Sequence, residues 1–483
     1  MLLKRLSVFP ALATILLLCQ CQSSKQPPST DHSATDFSHI SQVDSGNAVS
    51  VMLTCYSTTL RANGTDQTRV RLAVVDSISR QITSSDDTIH LYITGTARIT
   101  DPEGATLKMA TDTAGITYLI APLQDGVRNL TLHAGTETGK VQVEARAPGL
   151  WAGSHEIHLI PADFRMMHPS TYQLPVTTKP IDRMIGADIS FLPQIEARGG
   201  KFYEDGTEKD GMLLLRDHGF NFIRLRIFVN PEHENGYAPG TGFCGLPYTL
   251  AMARRIRDAG MQLLLDFHYS DYWADPQQQY KPAAWTGLDF PNLKDSVRAY
   301  TSRVLTALQG QNTPPAMVQI GNEINHGILW PDGHIGNPDQ LAELLMAGAA
   351  GVRAVDPEIP VMMHIALGGQ NAESVFWLDN MLARGVEFDI IGLSYYPRWH
   401  GTLSDLDANM RDLIRRYNKP INLVEYSDFK HAVHDIVFGL PGDRGKGTCI
   451  WEPLGRRSRM FDQDGNVNGL INVYGDLARA YLE

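Results

Sequence analysis

Two glutamates stand where a hydrolytic pair would be needed. Glu323 follows Met317-Val-Gln-Ile-Gly-Asn322, and Glu425 follows Ile421-Asn-Leu-Val424 about a hundred residues later. Each run is β-branched and apolar ahead of its acid, the pattern of a strand buried in a parallel sheet. A lone glutamate at a strand exit could be no more than a rim ion pair. Two of them on one rim of an α/β barrel supply what glycoside hydrolysis requires, one carboxyl as acid/base and the other as nucleophile or base.

Other chemistry-bearing residues recur at the same kind of position. Asp188, Arg226, His268 with Asp271 and Trp273, Asn322, His364, Tyr395 with Trp399, and Trp451 all fall at the ends of β-patterned runs. Buried charge is costly unless paired, so the set reads as one substrate-binding rim. The tryptophans offer flat apolar faces for sugar rings.

The elements that must position this rim are strands alternating with helical patterns. Strands are predicted over residues 184–190, 221–228, 262–268, 317–323, 361–366, 388–394, 421–425 and 448–451, with helical patterns such as 246–260 and 406–417 between them. Eight such units make a (β/α)8 TIM barrel over residues 182–483. Residues 48–176 read differently: short alternating runs, broken by turn residues and with no helical stretch, predict an all-β sandwich. Its aromatics Tyr92, Tyr118, Trp151 and Tyr172 are read as core or turn residues. The sandwich is therefore expected to act as a spacer whose removal leaves turnover of soluble polymer largely intact.

The chain has 483 residues, a net charge of -11 and a pI near 5.8. Such a balance argues against nucleic acid or an anionic membrane surface as the main partner and suits an exported enzyme acting on a neutral polymer. Lys4 and Arg5, the apolar run of residues 6–18, then Cys19 and Cys21 have the layout of a bacterial export signal. The run is short for a membrane span. Cys21 is expected to carry lipid after cleavage, making the protein a membrane-anchored lipoprotein at the cell surface or in the periplasm, tethered by residues 22–47 and otherwise monomeric. Cys55, Cys244 and Cys449 complete the five cysteines and show neither a disulfide framework nor zinc spacing.

Longer motifs carry a resemblance. Residues 265–276 (Leu-Asp-Phe-His-Tyr-Ser-Asp-Tyr-Trp-Ala-Asp-Pro), 318–325, 329–331, 392–401 (Gly-Leu-Ser-Tyr-Tyr-Pro-Arg-Trp-His-Gly) and 451–453 are similar to arabinogalactan endo-β-1,4-galactanases, glycoside hydrolase family 53. The similarity runs from about residue 185 to the end. Residues 60–76 and 139–150 resemble the bacterial immunoglobulin-like modules attached to glycosidases, a fold that implies no chemistry by itself.

The family resemblance implies a clan-A barrel that cleaves β-1,4-galactan or arabinogalactan internally with retention. Glu323 would be the acid/base and Glu425 the nucleophile, with Asn322 donating to the sugar 2-hydroxyl. Arg226 and His268 are expected to hold Glu425 ionised, since a nearby cation lowers a carboxyl pKa. The chain departs from the family after Glu425 (Tyr-Ser-Asp-Phe-Lys-His) and in a compact approach to strand eight, which bears on the glycone subsites. No cofactor or metal is expected to be required. Some relatives bind calcium, and Asp462-Gln-Asp-Gly-Asn466 has that flavour, but an acid-rich turn is more often only a turn. Two alternatives are the same mechanism on another β-1,4-polysaccharide and a non-catalytic glycan-binding surface lipoprotein. A reducing-end assay separates the last from the rest.

Overall fold

The computed structural model describes residues 47–169, 179–455 and 460–483. The expected leader, Cys19, Cys21, nearly all of the tether, and Tyr172 lie outside them.

Eight parallel strands close into a barrel in sequence order: β1 (Met184–Asp188), β2 (Phe222–Ile227), β3 (Gln262–Phe267), β4 (Met317–Ile320), β5 (Val361–Leu367), β6 (Ile390–Tyr395), β7 (Ile421–Tyr426) and β8 (Gly445–Trp451). Period-two alternation sorts their side chains. Ile223, Leu225 and Ile227 of β2, and their counterparts Leu263, Leu265 and Phe267 of β3, pack outward into the large core beneath the helices. The inward faces begin with an apolar floor of Met184, Phe222, Leu264, Met317, Met362, Ile390, Val424 and Cys449. Two residues further along, the same faces turn polar at Arg224, Asp266, Gln319 and His364, all buried. One more step reaches Asp188, Arg226, His268 and Ser394 near the mouth.

Two strands depart from expectation. β4 ends at Ile320, and Glu323 lies three residues beyond it with φ 48°, ψ 55°. This left-handed conformation is costly for a side chain with a Cβ and persists where surrounding contacts over-determine it. In β7 the register slips: Leu393 faces Leu423, but Ser394 faces Glu425. Strict alternation with inward Val424 would have turned Glu425 toward the helices. The bulge returns it to the interior, a common device for re-aiming a side chain beside a site.

The amino-terminal region forms two sheets, of four and six strands. Val70, Leu72 and Val74 of one meet Val141, Val143 and Ala145 of the other in a separate apolar core. Trp151 is 73% exposed, whereas Tyr118 stacks on His90 and Tyr92 lies under Arg146. Cys55, Cys244 and Cys449 are free, buried thiols.

The sandwich is not held at a distance. Glu373, buried on the helix Asn371–Leu382, accepts hydrogen bonds from Thr58 Oγ1 at 2.7 Å and Thr59 Oγ1 at 2.9 Å, and from the Thr58 amide. Tyr56 donates to Asp405, the capping-box acid of the helix Leu403–Tyr417, at 3.0 Å. His158 stacks on His326 with centroids 3.8 Å apart, and its Nδ1 lies 2.9 Å from His334 Nε2. These partners belong to the loops and helices at the mouth of the barrel, so the spacer expectation is corrected: the sandwich docks on the face that carries the site. Its contact surface is largely polar and therefore looked like ordinary solvated surface in the sequence.

Candidate active site

Glu323 and Glu425 open onto one cavity of about 930 Å³, whose walls include Asp188, Arg226, His268, Trp273, Asn322, Trp399 and Trp451. Nine of the twelve site residues expected from sequence are thus brought together. Three are not. Asp271 spends its carboxylate on the backbone amides of Asn230 at 2.9 Å and Ala283 at 2.8 Å, so it pins two loops. Tyr395, one step out of phase with Ser394, points into the helix layer, where its hydroxyl donates to the Gly401 carbonyl. His364 lies one step below the cavity wall.

The partners of the two glutamates differ. Arg224 Nη1 donates to Glu425 Oε1 at 2.7 Å, and Tyr396 donates its hydroxyl to Oε2 at 3.1 Å. The same guanidinium reaches Asp188 at 3.1 Å, Asp266 at 2.8 Å and Asn322 Oδ1 at 2.8 Å. Arg226 and His268, expected beside Glu425, are engaged elsewhere. Arg226 pairs with Glu452 at 2.7 Å and lies between Phe191 and Trp273, 4.4 and 4.2 Å from their ring centres. His268 takes the Ala274 amide on Nδ1, leaving Nε2 to donate to Asp266 at 3.1 Å. Arg224 and Arg226 share one face of β2, and height in the barrel decides between them: the lower arginine meets Glu425.

Among the described residues no cation pairs with Glu323. Ser394 Oγ donates to its Oε1 at 2.7 Å, and Ser394 in turn lies 2.8 Å from His364 Nε2. Gln319 Nε2 donates to His364 Nδ1 at 3.1 Å, which leaves Nε2 to carry the proton toward Ser394. Burial, then the Arg224 charge, drives the His364 pKa well below its ordinary value, so this relay is neutral. Asn322 donates its amide to the Ala274 carbonyl at 2.8 Å, and Gln279 anchors the Asn322 carbonyl at 2.8 Å.

Both carboxyls titrate above the ordinary range, unequally. Glu323 is pushed well above it by burial first and by the negative charge of Glu425 second. Glu425 is raised by burial, with Arg224 working against the shift. A pair of acids pushed apart in this way can divide the roles of proton donor and anion.

Arg224, Ser394, Tyr396 and Glu452 were not singled out from sequence. The run Ser394-Tyr-Tyr396 held the signal: serine and the second tyrosine share a phase, and the first tyrosine does not. Among the described residues, no group of three or more His, Cys, Asp or Glu is arranged to hold a metal ion. In the acid-rich turn, Asp462 accepts from the amides of Asp464 at 2.9 Å and Asn466 at 2.8 Å.

Comparison with known proteins gives the site a lineage. The profile of Glycosyl hydrolase family 53 matches residues 184–437, and that of Glycoside hydrolase family 2 C-terminal domain 5 matches residues 51–156. An uncharacterized Niallia circulans protein is 46% identical over 332 residues, 60% of this chain and 88% of its own length. The arabinogalactan endo-beta-1,4-galactanase A of Emericella nidulans is 37% identical over 337 residues, covering 60% of this chain and 94% of the relative. Among solved structures, the Ignisphaera aggregans GH53 catalytic domain superposes with TM-score 0.57 at 32% identity, over 62% of this chain and 98% of that one. Structures of fungal beta-1,4-galactanases give TM-score 0.55 at 28% identity, over 60% and 98%. The barrel, its paired carboxyls and these matches lead to one conclusion: this chain is a hydrolase of glycoside hydrolase family 53.

Proposed function

We propose that the enzyme cleaves β-1,4-galactosidic bonds inside galactan or arabinogalactan chains by a retaining double displacement. Glu323 serves as acid/base and Glu425 as nucleophile. The observation that carries this division is the asymmetry of partners: Arg224 and Tyr396 hold both oxygens of Glu425, whereas among the described residues half-buried Glu323 pairs with no cation and faces the charge of Glu425.

Protonated Glu323 gives its proton to the glycosidic oxygen while a Glu425 oxygen attacks the anomeric carbon. The carbon–oxygen bond breaks, the leaving half departs with its new hydroxyl, and a glycosyl ester remains on Glu425. Glu323, now a carboxylate, takes a proton from water as the water oxygen displaces Glu425. Two carboxyls complete this cycle without a cofactor. In this reading Asn322, held from both sides, binds the 2-hydroxyl, and Trp273, Trp399 and Trp451 take sugar faces. The galactan assignment draws on the relatives' activity and on the length of the shared motifs.

Assay of released reducing ends on a panel of β-linked polysaccharides should give the highest turnover on galactan, and proton NMR should show the β anomer first. Glu425→Ala should be inactive and regain turnover with azide, yielding the α-glycosyl azide. With an activated aryl galactobioside, Glu323→Ala plus azide should yield the β product. Initial release of the α anomer would sink the retaining assignment, and preference for xylan or mannan would sink the substrate.

A further inference from the structure

A second cavity, of about 290 Å³, lies between the sandwich and the barrel. Asp275, Glu323, Tyr396 and Trp399 line both cavities, so the two meet beside the acid/base. Glu425 lines only the first. The sandwich supplies Thr58, Ser154, His155 and Glu156 to the second.

Two buried polar atoms of its wall residues, Asn325 Oδ1 and Gln370 Oε1, have no hydrogen-bond partner among the described residues. Buried polar atoms are nearly always satisfied. The residues that carry these two line the cavity together with Ser154, His155, Glu156 and Asp275, a set of hydrogen-bonding side chains suited to a polyhydroxylated ligand. The walls are also locked. Thr58 is fixed by Glu373, Gln370 Nε2 donates to the Cys55 carbonyl at 2.9 Å, Arg398 bonds the Ala152 carbonyl, and Lys140 bridges Glu156 at 2.8 Å and the Gln277 carbonyl at 3.2 Å. A site held in this way spends little of its binding energy on ordering itself.

We propose that the sandwich is part of the substrate site, and that this cavity seats the first sugar units of the leaving half of the chain. The assignment rests on Glu323 being the acid. The proton goes to the glycosidic oxygen, which departs with the leaving half, so the space beyond Glu323 and away from Glu425 belongs to that half. His155 is then a substrate-binding residue contributed by a module outside the barrel, together with Asn325 and Gln370.

The test uses the full chain, β-1,4-galactohexaose labelled at its reducing end, and β-galactobiosyl fluoride, whose leaving group is a single atom that needs neither this cavity nor an acid. Ser154→Trp, which fills the cavity, should lower kcat/KM on the hexaose at least tenfold and move cleavage toward the labelled end. Hydrolysis of the fluoride should stay within twofold. His155→Ala should show the same split, about fivefold, and serves as the independent variant if Ser154→Trp does not fold. Equal losses on both substrates, or an unchanged cleavage pattern, would mean that the cavity holds only water and the sandwich only props the barrel, overturning the proposal while the galactanase reading stands. A wild-type enzyme inert on both substrates overturns the galactanase reading, and this proposal with it.

Discussion

Ser394 is the strongest of the groups that favour the ionised form of Glu323. Its hydroxyl donates to Oε1 at 2.7 Å, stabilises the carboxylate and so opposes the upward push of burial and of Glu425. Removing it leaves mainly the Arg224 charge to oppose the push. Ser394→Ala should therefore move the alkaline limb of the kcat/KM profile to higher pH, because Glu323 must stay protonated to act and would lose its proton later. The acid limb, set by ionisation of Glu425, should move less. A pH–rate profile checks this, and an alkaline limb that moves downward would contradict the relay. At this scale the sequence carried the reacting groups but not their supports. Glu323 and Glu425 end β-rich runs and can be read directly. Arg224 could not be chosen over Arg226, because both share one phase of β2 and only barrel height separates them; nor could Tyr396 be chosen over Tyr395 without knowing where β6 ends.

The helix Asn371–Leu382 presents the sharpest dependence of one element on another. Burial opposes ionisation of Glu373, but hydrogen bonds involving His326 and Thr58 outweigh it and hold the carboxyl below its ordinary 4.5. Being depressed in the fold, it contributes stability that is present above about pH 4.5 and lost as pH falls through the lower folded value. Thr58→Val removes a donor to a buried carboxylate and should cost about 1.5–3 kcal/mol. It should also make the acid loss of stability smaller and end it at a higher pH, since the folded carboxyl then titrates closer to 4.5. Denaturant melts at pH 7 and pH 4 measure both effects. An unchanged midpoint at pH 7 would show that the helix does not depend on the sandwich. Among elements, the eight barrel strands were legible to within a few residues because each carries a short apolar, mostly β-branched or leucine-rich stretch between helical patterns. The sandwich strand Val127–Ala134 was not, since Arg128, Asn129, Thr131 and His133 mask its alternation, and the strands Thr59–Arg61, Ala97–Thr100 and Met109–Thr111 are too short to show a period. The bulge in β7 left no mark in the sequence at all.

As a whole, the molecule couples a sandwich and a barrel through a histidine stack. His158 faces His326, His334, Glu156 and, beyond them, Lys140, and burial first, then His326, drives its pKa down to about 3. Burial likewise lowers His334 to about 4. A histidine held neutral in the fold supports stability above its unfolded value near 6.5, and that support is lost progressively as pH falls toward the folded value. We expect one cooperative melting transition at pH 7, and a melting temperature that falls as pH is lowered from 6.5 to 4, the sandwich releasing before the barrel. Calorimetry on the full chain checks this, and a melting temperature flat over that interval would contradict it. Removing residues 47–169 should lower both stability and turnover, the reverse of the spacer expectation. The docking was not legible in the sequence because it depends on complementary surfaces from distant parts of the chain, and Thr58, His158 and Glu373 each look ordinary in isolation.

The barrel floor has a consequence for redox chemistry. Met184, Met317 and Met362 are 1%, 2% and 0% exposed, and with the Cys449 thiol they place a layer of sulfur directly beneath the ionic network of Arg224. Soft thioethers fill that irregular space well, but a sulfoxide would force a polar oxygen into this apolar layer beneath the carboxylates. Sealed as they are, these sulfurs meet peroxide only when the barrel opens. Inactivation by oxidant thus becomes a clock for barrel opening: its rate counts excursions of the closed sheet, and substrate that keeps the mouth occupied should slow it.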